Sequence, residues 1–174
     1  RSLLNNKKTE EAEVFLDKAK KTYLTKKDEL KPEVGLDFAQ ALIAKGDKSA
    51  ADEVLHELVE KFPEHKALVD KADSMSDTPK SKAGRKKVAD MTKAGIDYYE
   101  SKNYKQAIST FRDAIGVFPT HTGLNLNLIQ AVIAEVKSHG DQIGFESICR
   151  TSLDRISSID SSDTQYARYS HLLK

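Results

Sequence analysis

Residues able to do chemistry are spread thinly along this chain. The five histidines, His56, His65, His121, His139 and His171, include no pair at i, i+4, and Cys149 has no second cysteine with which to share a metal. Cys149 falls among apolar positions of helical spacing, where a lone thiol acts as a packing residue. There is no Gly-rich phosphate loop, no Gly-x-Ser-x-Gly elbow and no Asp-rich calcium loop. Carboxylates are plentiful but follow the pattern of solvated helix faces. The sequence therefore predicts a non-catalytic protein, with no metal and no cofactor.

One basic cluster stands out: Lys80, Lys82, Arg85, Lys86 and Lys87. Such a density could hold a phosphate or an acidic partner. Against that, 28 basic and 27 acidic residues leave a net charge of +1, and no aromatic side chain interleaves with the cluster for base stacking. The favoured expectation is a solvated linker running into the first turn of a helix, with nucleic-acid binding a lesser alternative.

At 174 residues the chain can bury a core in one domain or two small ones. A charged fraction of 32% with 7% aromatics and no Trp suits a helical surface rich in solvent contact. A single cysteine excludes an internal disulfide framework and fits a reducing compartment. No apolar run reaches membrane-spanning length, and Arg1-Ser2-Leu3-Leu4-Asn5 is unlike a signal peptide. The expected location is the cytoplasm, and the missing initiator Met points to a fragment of a longer protein.

The elements that position these residues are clearest between Met91 and Pro119. Met91, Ala94, Gly95, Tyr98, Tyr104, Ala107, Phe111, Ala114 and Pro119 recur at spacings that suit two antiparallel helices. Gly95 and Ala107 are small enough to let two helix axes approach. Tyr98, Tyr104 and Phe111 are expected to fill the space around the crossing. Asn103 can cap the second helix, with Gln106 as the other half of a capping box, and Pro119 stops it. The segment resembles one tetratricopeptide repeat, with Met91 where Trp is usual and Ala94 where Leu is usual. That resemblance implies an all-α fold, an α-solenoid of antiparallel helix pairs, and binding of a protein or peptide.

The flanking sequence supplies further helices. Thr9 is expected to cap one that buries Ala12, Phe15, Leu16, Ala19 and Tyr23, with Lys20, Lys21, Lys26 and Lys27 on its solvated face. Pro32 opens the next, with Val34, Phe38, Ala39, Leu42 and Ile43 apolar, and Gly46-Asp47 turns into a partner carrying Ala51, Val54, Leu55, Leu58, Val59 and Phe62 before Pro63. This pair reads as a degenerate repeat, because Gly35 occupies its first large position. A short insertion is expected at Lys26–Lys31. From Pro63 to Pro119 is 119 − 63 = 56 residues, against about 34 for one repeat. The excess holds a short helix with Ala67, Leu68, Ala72 and Met75, then a break at Ser76–Pro79. Beyond Pro119, Thr120 or Thr122 can cap a helix of Leu124, Leu128, Ile129, Val132, Ile133 and Val136 that ends at Gly140. Asp141 is expected to begin another, with Ile148, Cys149, Ser152, Leu153 and Ile156 inward. Ser162 and Gln165 form a capping box for a terminal lid bearing Tyr166, Tyr169, Leu172 and Leu173. The expected division is 1–76, 77–87 and 88–174, with one continuous array over 1–174 as the alternative.

By the register that the repeat resemblance implies, Lys93, Ile96, Tyr99 and Glu100 face a partner-binding groove, joined by Asn125, Asn127 and Gln130 of the following helix. Side-chain amides there can bind a partner's backbone or bond within the stack. The Lys/Asn clamp that some family members use for a C-terminal carboxylate is not reproduced, since the corresponding positions include Leu36, Thr92 and Leu126. Gly123 to Gln130 and the closing Gln165 to Tyr169 are also similar to the helical C-terminal half of certain bacterial response regulators. That likeness implies an output module of two-component signal transduction. The alternative function is self-association, with a homodimer formed through terminal helices at Tyr169 and Leu173.

Overall fold

Proline, glycine and small polar residues cut this chain into helices of ten to nineteen residues. The computed structural model describes residues 14, 16–23, 25, 31–140, 143–159 and 169–170. Among these, every regular element is helical and none is a strand. Helix α1 is helical at 14, 16–23 and 25. It is followed by α2 (Pro32–Lys45), α3 (Lys48–Lys61), α4 (Lys66–Met75), α5 (Lys82–Glu100), α6 (Tyr104–Val117), α7 (Thr122–His139) and α8 (Phe145–Ile159). The chain divides into two compact units, Arg1–Ala72 and Asp73–Lys174, with the division inside α4.

In the first unit α3 folds back on α2. Pro32 supplies the preset φ of a first helical turn, and Gly46 ends α2 in the left-handed region at φ 88°. The N–H groups of Gly46 and Asp47 donate to the carbonyls of Ile43 and Leu42, both at 3.0 Å. Asp47 then caps α3 by accepting from the Ala50 N–H. Phe38, Ala39, Leu42, Ala51, Val54, Leu55, Leu58 and Val59 are buried, and Tyr23 of α1 stacks on Phe38 with ring centroids 5.0 Å apart. Val34, one of the apolar residues of α2, is 41% exposed. Gly35 and Phe38 hold the inward face of that turn instead.

The second unit stacks α5 on α6, α6 on α7 and α7 on α8. Its core holds Val88, Ala107, Ile108, Phe111, Ala114, Ile115 and Phe118, with Leu124, Leu128, Ile129, Ala131, Val132, Cys149, Leu153 and Ile156, and Tyr169 packs against it. Tyr98, expected to fill the α5–α6 crossing, is 39% exposed. Tyr99, a full turn beyond Gly95, takes that place and tilts against Tyr104 at 5.3 Å.

A shift of 56 residues lays one unit's turns on the other's. Helix α3 falls on α6 end to end (104 − 48 = 117 − 61 = 56). Gly46 falls on Lys102, which is left-handed at φ 59°, and Asp47 falls on Asn103, each an N-cap. Phe62-Pro63 falls on Phe118-Pro119, and the two phenylalanines end their helices at φ −126° and −125°. His65 falls on His121, and the Nδ1 of each accepts the N–H of the leucine three residues on. The expected caps Thr120 and Thr122 are thus displaced by His121, and the Thr120 hydroxyl ties back to the Ser76 and Ser74 carbonyls.

Under the same shift the large and small partners trade places at one helix crossing and keep them at the next. A Cβ on Gly35 would lie 2.7 Å from Leu58 Cδ2, so glycine is required there by the bulk opposite. The matching pair in the second unit is Met91 with Ala114 (35 + 56 and 58 + 56), large against small in the reverse sense. One turn along, a Cβ on Gly95 would come within 2.4 Å of Phe111 Cε1, while Ala39 and Leu55 occupy the matching places in the first unit. Gly35, read from sequence as a mark of degeneracy, is one half of a matched pair.

Within 77–87, expected as a basic linker and the start of a long helix, α5 starts at Lys82. The cap at Thr9, the Ser162/Gln165 box, Asp141, and the side chains of Ala12, Phe15, Lys26, Lys27, Tyr166, Leu172 and Leu173 lie outside the described residues.

Two stability measurements check this plan. Gly35→Met is expected to lower the urea-unfolding free energy by about 1–3 kcal/mol through overpacking. Combined with Leu58→Ala, the loss should be smaller than the sum of the two single losses, and strict additivity would contradict the pairing. Lys102→Gly is expected to raise stability by up to about 1 kcal/mol, because glycine carries no Cβ penalty at positive φ.

Candidate interaction cleft

The side chains that could meet a partner come from α5 and α7. Ile96, Tyr99 and Glu100 lie at i, i+3 and i+4 on α5, and Asn127 and Gln130 at i, i+3 on α7, so each set shares one helical face. They line a cleft of about 260 Å³ together with Phe111 of α6. Gln130 Nε2 reaches Tyr99 Oη at 3.5 Å, the outer limit of a hydrogen bond. The cleft thus presents one carboxylate, one phenol and two amides beside the apolar Ile96 and Phe111.

Two of the expected groove residues lie elsewhere. Asn125 is fully buried, and its Nδ2 donates to the Pro119 and His121 carbonyls at 3.1 and 3.0 Å, fastening the turn into α7. It sits two residues from Asn127, roughly 200° around the helix, which places the two amides on different faces. Lys93 is exposed and pairs with Asp97 at 2.7 Å, off the cleft.

The basic cluster is tied into its own surroundings. Asp73 is 1% exposed, and its Oδ1 accepts the backbone N–H groups of Lys80 and Ser81 at 2.7 and 2.9 Å. The Ser81 hydroxyl donates to the other carboxylate oxygen and accepts the Gly84 N–H, capping α5. A Cβ on Gly84 would strike Asp73 Oδ2 at 2.1 Å. Arg85 donates to the Lys80 carbonyl, Lys86 pairs with Asp90 at 2.6 Å, and the Lys87 ammonium sits 5.9 Å from the centre of the Phe118 ring. Lys82 is exposed on the first turn of α5. Asp73 carried no signal in the sequence, where it reads as one more carboxylate on a solvated helix face.

Among the described residues, no group of three or more His, Cys, Asp or Glu could hold a metal. Burial pushes the Cys149 thiol up to about 11, so it is protonated at neutral pH and serves as a packing residue. Glu135, 1% exposed, is met by two exposed side chains, His139 Nδ1 at 3.1 Å and Lys105 Nζ at 3.9 Å, contacts that the sequence pattern did not mark.

The tetratricopeptide repeat family matches residues 33–65, spanning all but the first residue of α2, all of α3 and the turn to His65. The match falls on the pair that reads as degenerate. No curated protein and no solved structure matches the chain. The chain therefore carries a segment similar to a tetratricopeptide repeat, within an all-α arrangement of helix pairs.

The cap on α7 sets a pH dependence. His121 accepts the Leu124 N–H at 3.2 Å through Nδ1, which requires the ring to be neutral at that nitrogen. Burial lowers its pKa from 6.5, while a backbone hydrogen bond and the Asp77 charge act in the opposite sense. With the folded value depressed, the unfolded chain binds the proton more readily, so stability is full above 6.5 and declines as pH falls below it. The expected outcome is a lower urea midpoint at acid pH that is flattened in His121→Asn, which keeps a capping oxygen. Loss of the cap is worth about 1 kcal/mol.

Proposed function

We propose that this chain is a non-catalytic interaction module that binds a protein or peptide through the cleft between α5 and α7. The observation that carries this reading is the meeting of Ile96, Tyr99 and Glu100 with Asn127 and Gln130 over Phe111. Two amides and a phenol can satisfy the backbone N–H and C=O groups of an extended segment. Glu100 favours a basic side chain in that segment, since Lys93, the nearest basic residue expected there, is held by Asp97. The repeat-like segment at 33–65 supports the same class of function, because tetratricopeptide repeats commonly mediate protein–protein contacts.

A finer setting, the output part of a bacterial response regulator, rests on the likeness of Gly123–Gln130 and Gln165–Tyr169, and a cytoplasmic location rests on the single cysteine. No described helix is long and apolar enough to cross a membrane. Nucleic-acid binding through Lys80–Lys87 is disfavoured by the contacts that Arg85, Lys86 and Lys87 already make.

Selection from a random peptide library on the purified chain tests the proposal. Peptides bearing Lys or Arg are expected. Their affinity should fall by about tenfold or more in Tyr99→Ala/Gln130→Ala, in line with lost interfacial hydrogen bonds, and by less in Glu100→Gln. Peptides that bind both proteins equally would place the interaction elsewhere.

A further inference from the structure

A second cleft, of about 290 Å³, opens between α6 and α8 with Leu128 of α7 contributing to its lining. Its composition differs from that of the α5–α7 cleft. Arg112 and Arg155 line it from opposite helices, no acidic residue does, and neither arginine makes an ion pair among the described residues. Ile115, Leu128 and Ile148 supply apolar lining.

Gly116 keeps this cleft open. It lies in the last turn of α6, where a Cβ would meet nothing within 4 Å, and neither a positive φ nor a close neighbour calls for glycine there.

We propose that the α6–α8 cleft binds a small organic anion, a carboxylate or phosphate group carried on a short branched apolar chain. Arg112 and Arg155 meet the oxyanion, and the apolar tail lies against Ile115, Leu128 and Ile148. Arginine suits this task because its planar guanidinium donates in pairs to an oxyanion. The volume fits a ligand at the small end of the usual range for pockets. The reading is independent of the peptide cleft, which uses other residues.

The test is a titration of the full chain, followed by NMR of its arginine side chains, with 4-methylpentanoate, 3-methylbutyl phosphate, inorganic phosphate and the neutral 4-methylpentanamide at constant ionic strength. Saturable shifts of Arg112 and Arg155 are expected with at least one of the two organic anions, and the stronger of these identifies the headgroup. Binding should weaken about tenfold or more in Arg112→Gln/Arg155→Gln. Gly116→Leu should abolish it by filling the cleft and yet melt no lower than the parent, which separates lost binding from lost folding. Tyr99→Ala/Gln130→Ala should bind the anion as the parent does. Equal binding of the amide, shifts with inorganic phosphate alone (an adventitious ion only), or no saturable shift with either organic anion would overturn the proposal.

Discussion

Contact between paired helices depends on a side chain being absent where its neighbour is large. Gly35 faces Leu58 and Gly95 faces Phe111, each at a separation that a single added carbon would violate. These contacts are close because the protein interior tolerates neither a void nor an overlap of one methyl group without cost. Burial of Ala39 and Ala107, each fully enclosed, extends the close approach along the same faces. The requirement is on the sum of two volumes, so either helix can carry the small residue. That freedom explains how one plan is kept with glycine at 35 in one unit and methionine at 91 in the other.

Backbone termination is the second constraint, and it is solved alike in both units. A left-handed residue closes the first helix, Asp47 or Asn103 caps the second, Phe-Pro ends it, and a histidine caps the third. Each device satisfies N–H or C=O groups that a helix end would otherwise leave unpaired. Asp73 extends the same logic over a longer reach, accepting two backbone N–H groups of the 80–81 turn so that Ser81 is held where it can cap α5. Thr120 adds a link between the Ser74 and Ser76 carbonyls at the end of α4 and the turn entering α7.

Much of this was legible from residue types. Pro32, Gly46-Asp47, Pro63, Asn103, Pro119 and Gly140 mark helix ends by local chemistry, and the structure ends its helices beside them. What stayed hidden depended on partners distant in sequence. Gly35 reads as a flaw until Leu58, 58 − 35 = 23 residues away, is placed opposite it. His65 and His121 are poor guesses as caps, since Ser, Thr, Asp and Asn lead at that position. Asn125 and Asn127 look alike in sequence, and only the rotation of α7 sends one into the turn and the other to the cleft. Tyr98 and Tyr99 present the same ambiguity one helix earlier, and the position of Gly95 decides it.

Helix α6 connects these constraints to both candidate sites. Successive residues on a helix point about 100° apart. Phe111 can therefore line the α5–α7 cleft while Arg112 lines the α6–α8 cleft. The ring that presses on Gly95 is the same ring that lines the first cleft, so the contact closing the helix pair also shapes the surface offered to a partner. A bulkier residue at 95 would displace that ring, and with it the cleft. Buried Ala107, Ala114 and Ile115 keep α6 fixed between its neighbours, which lets one helix serve two surfaces without a loop carrying either. Side chains on packed helices are held more rigidly than those on loops, and a binding site gains specificity from that rigidity.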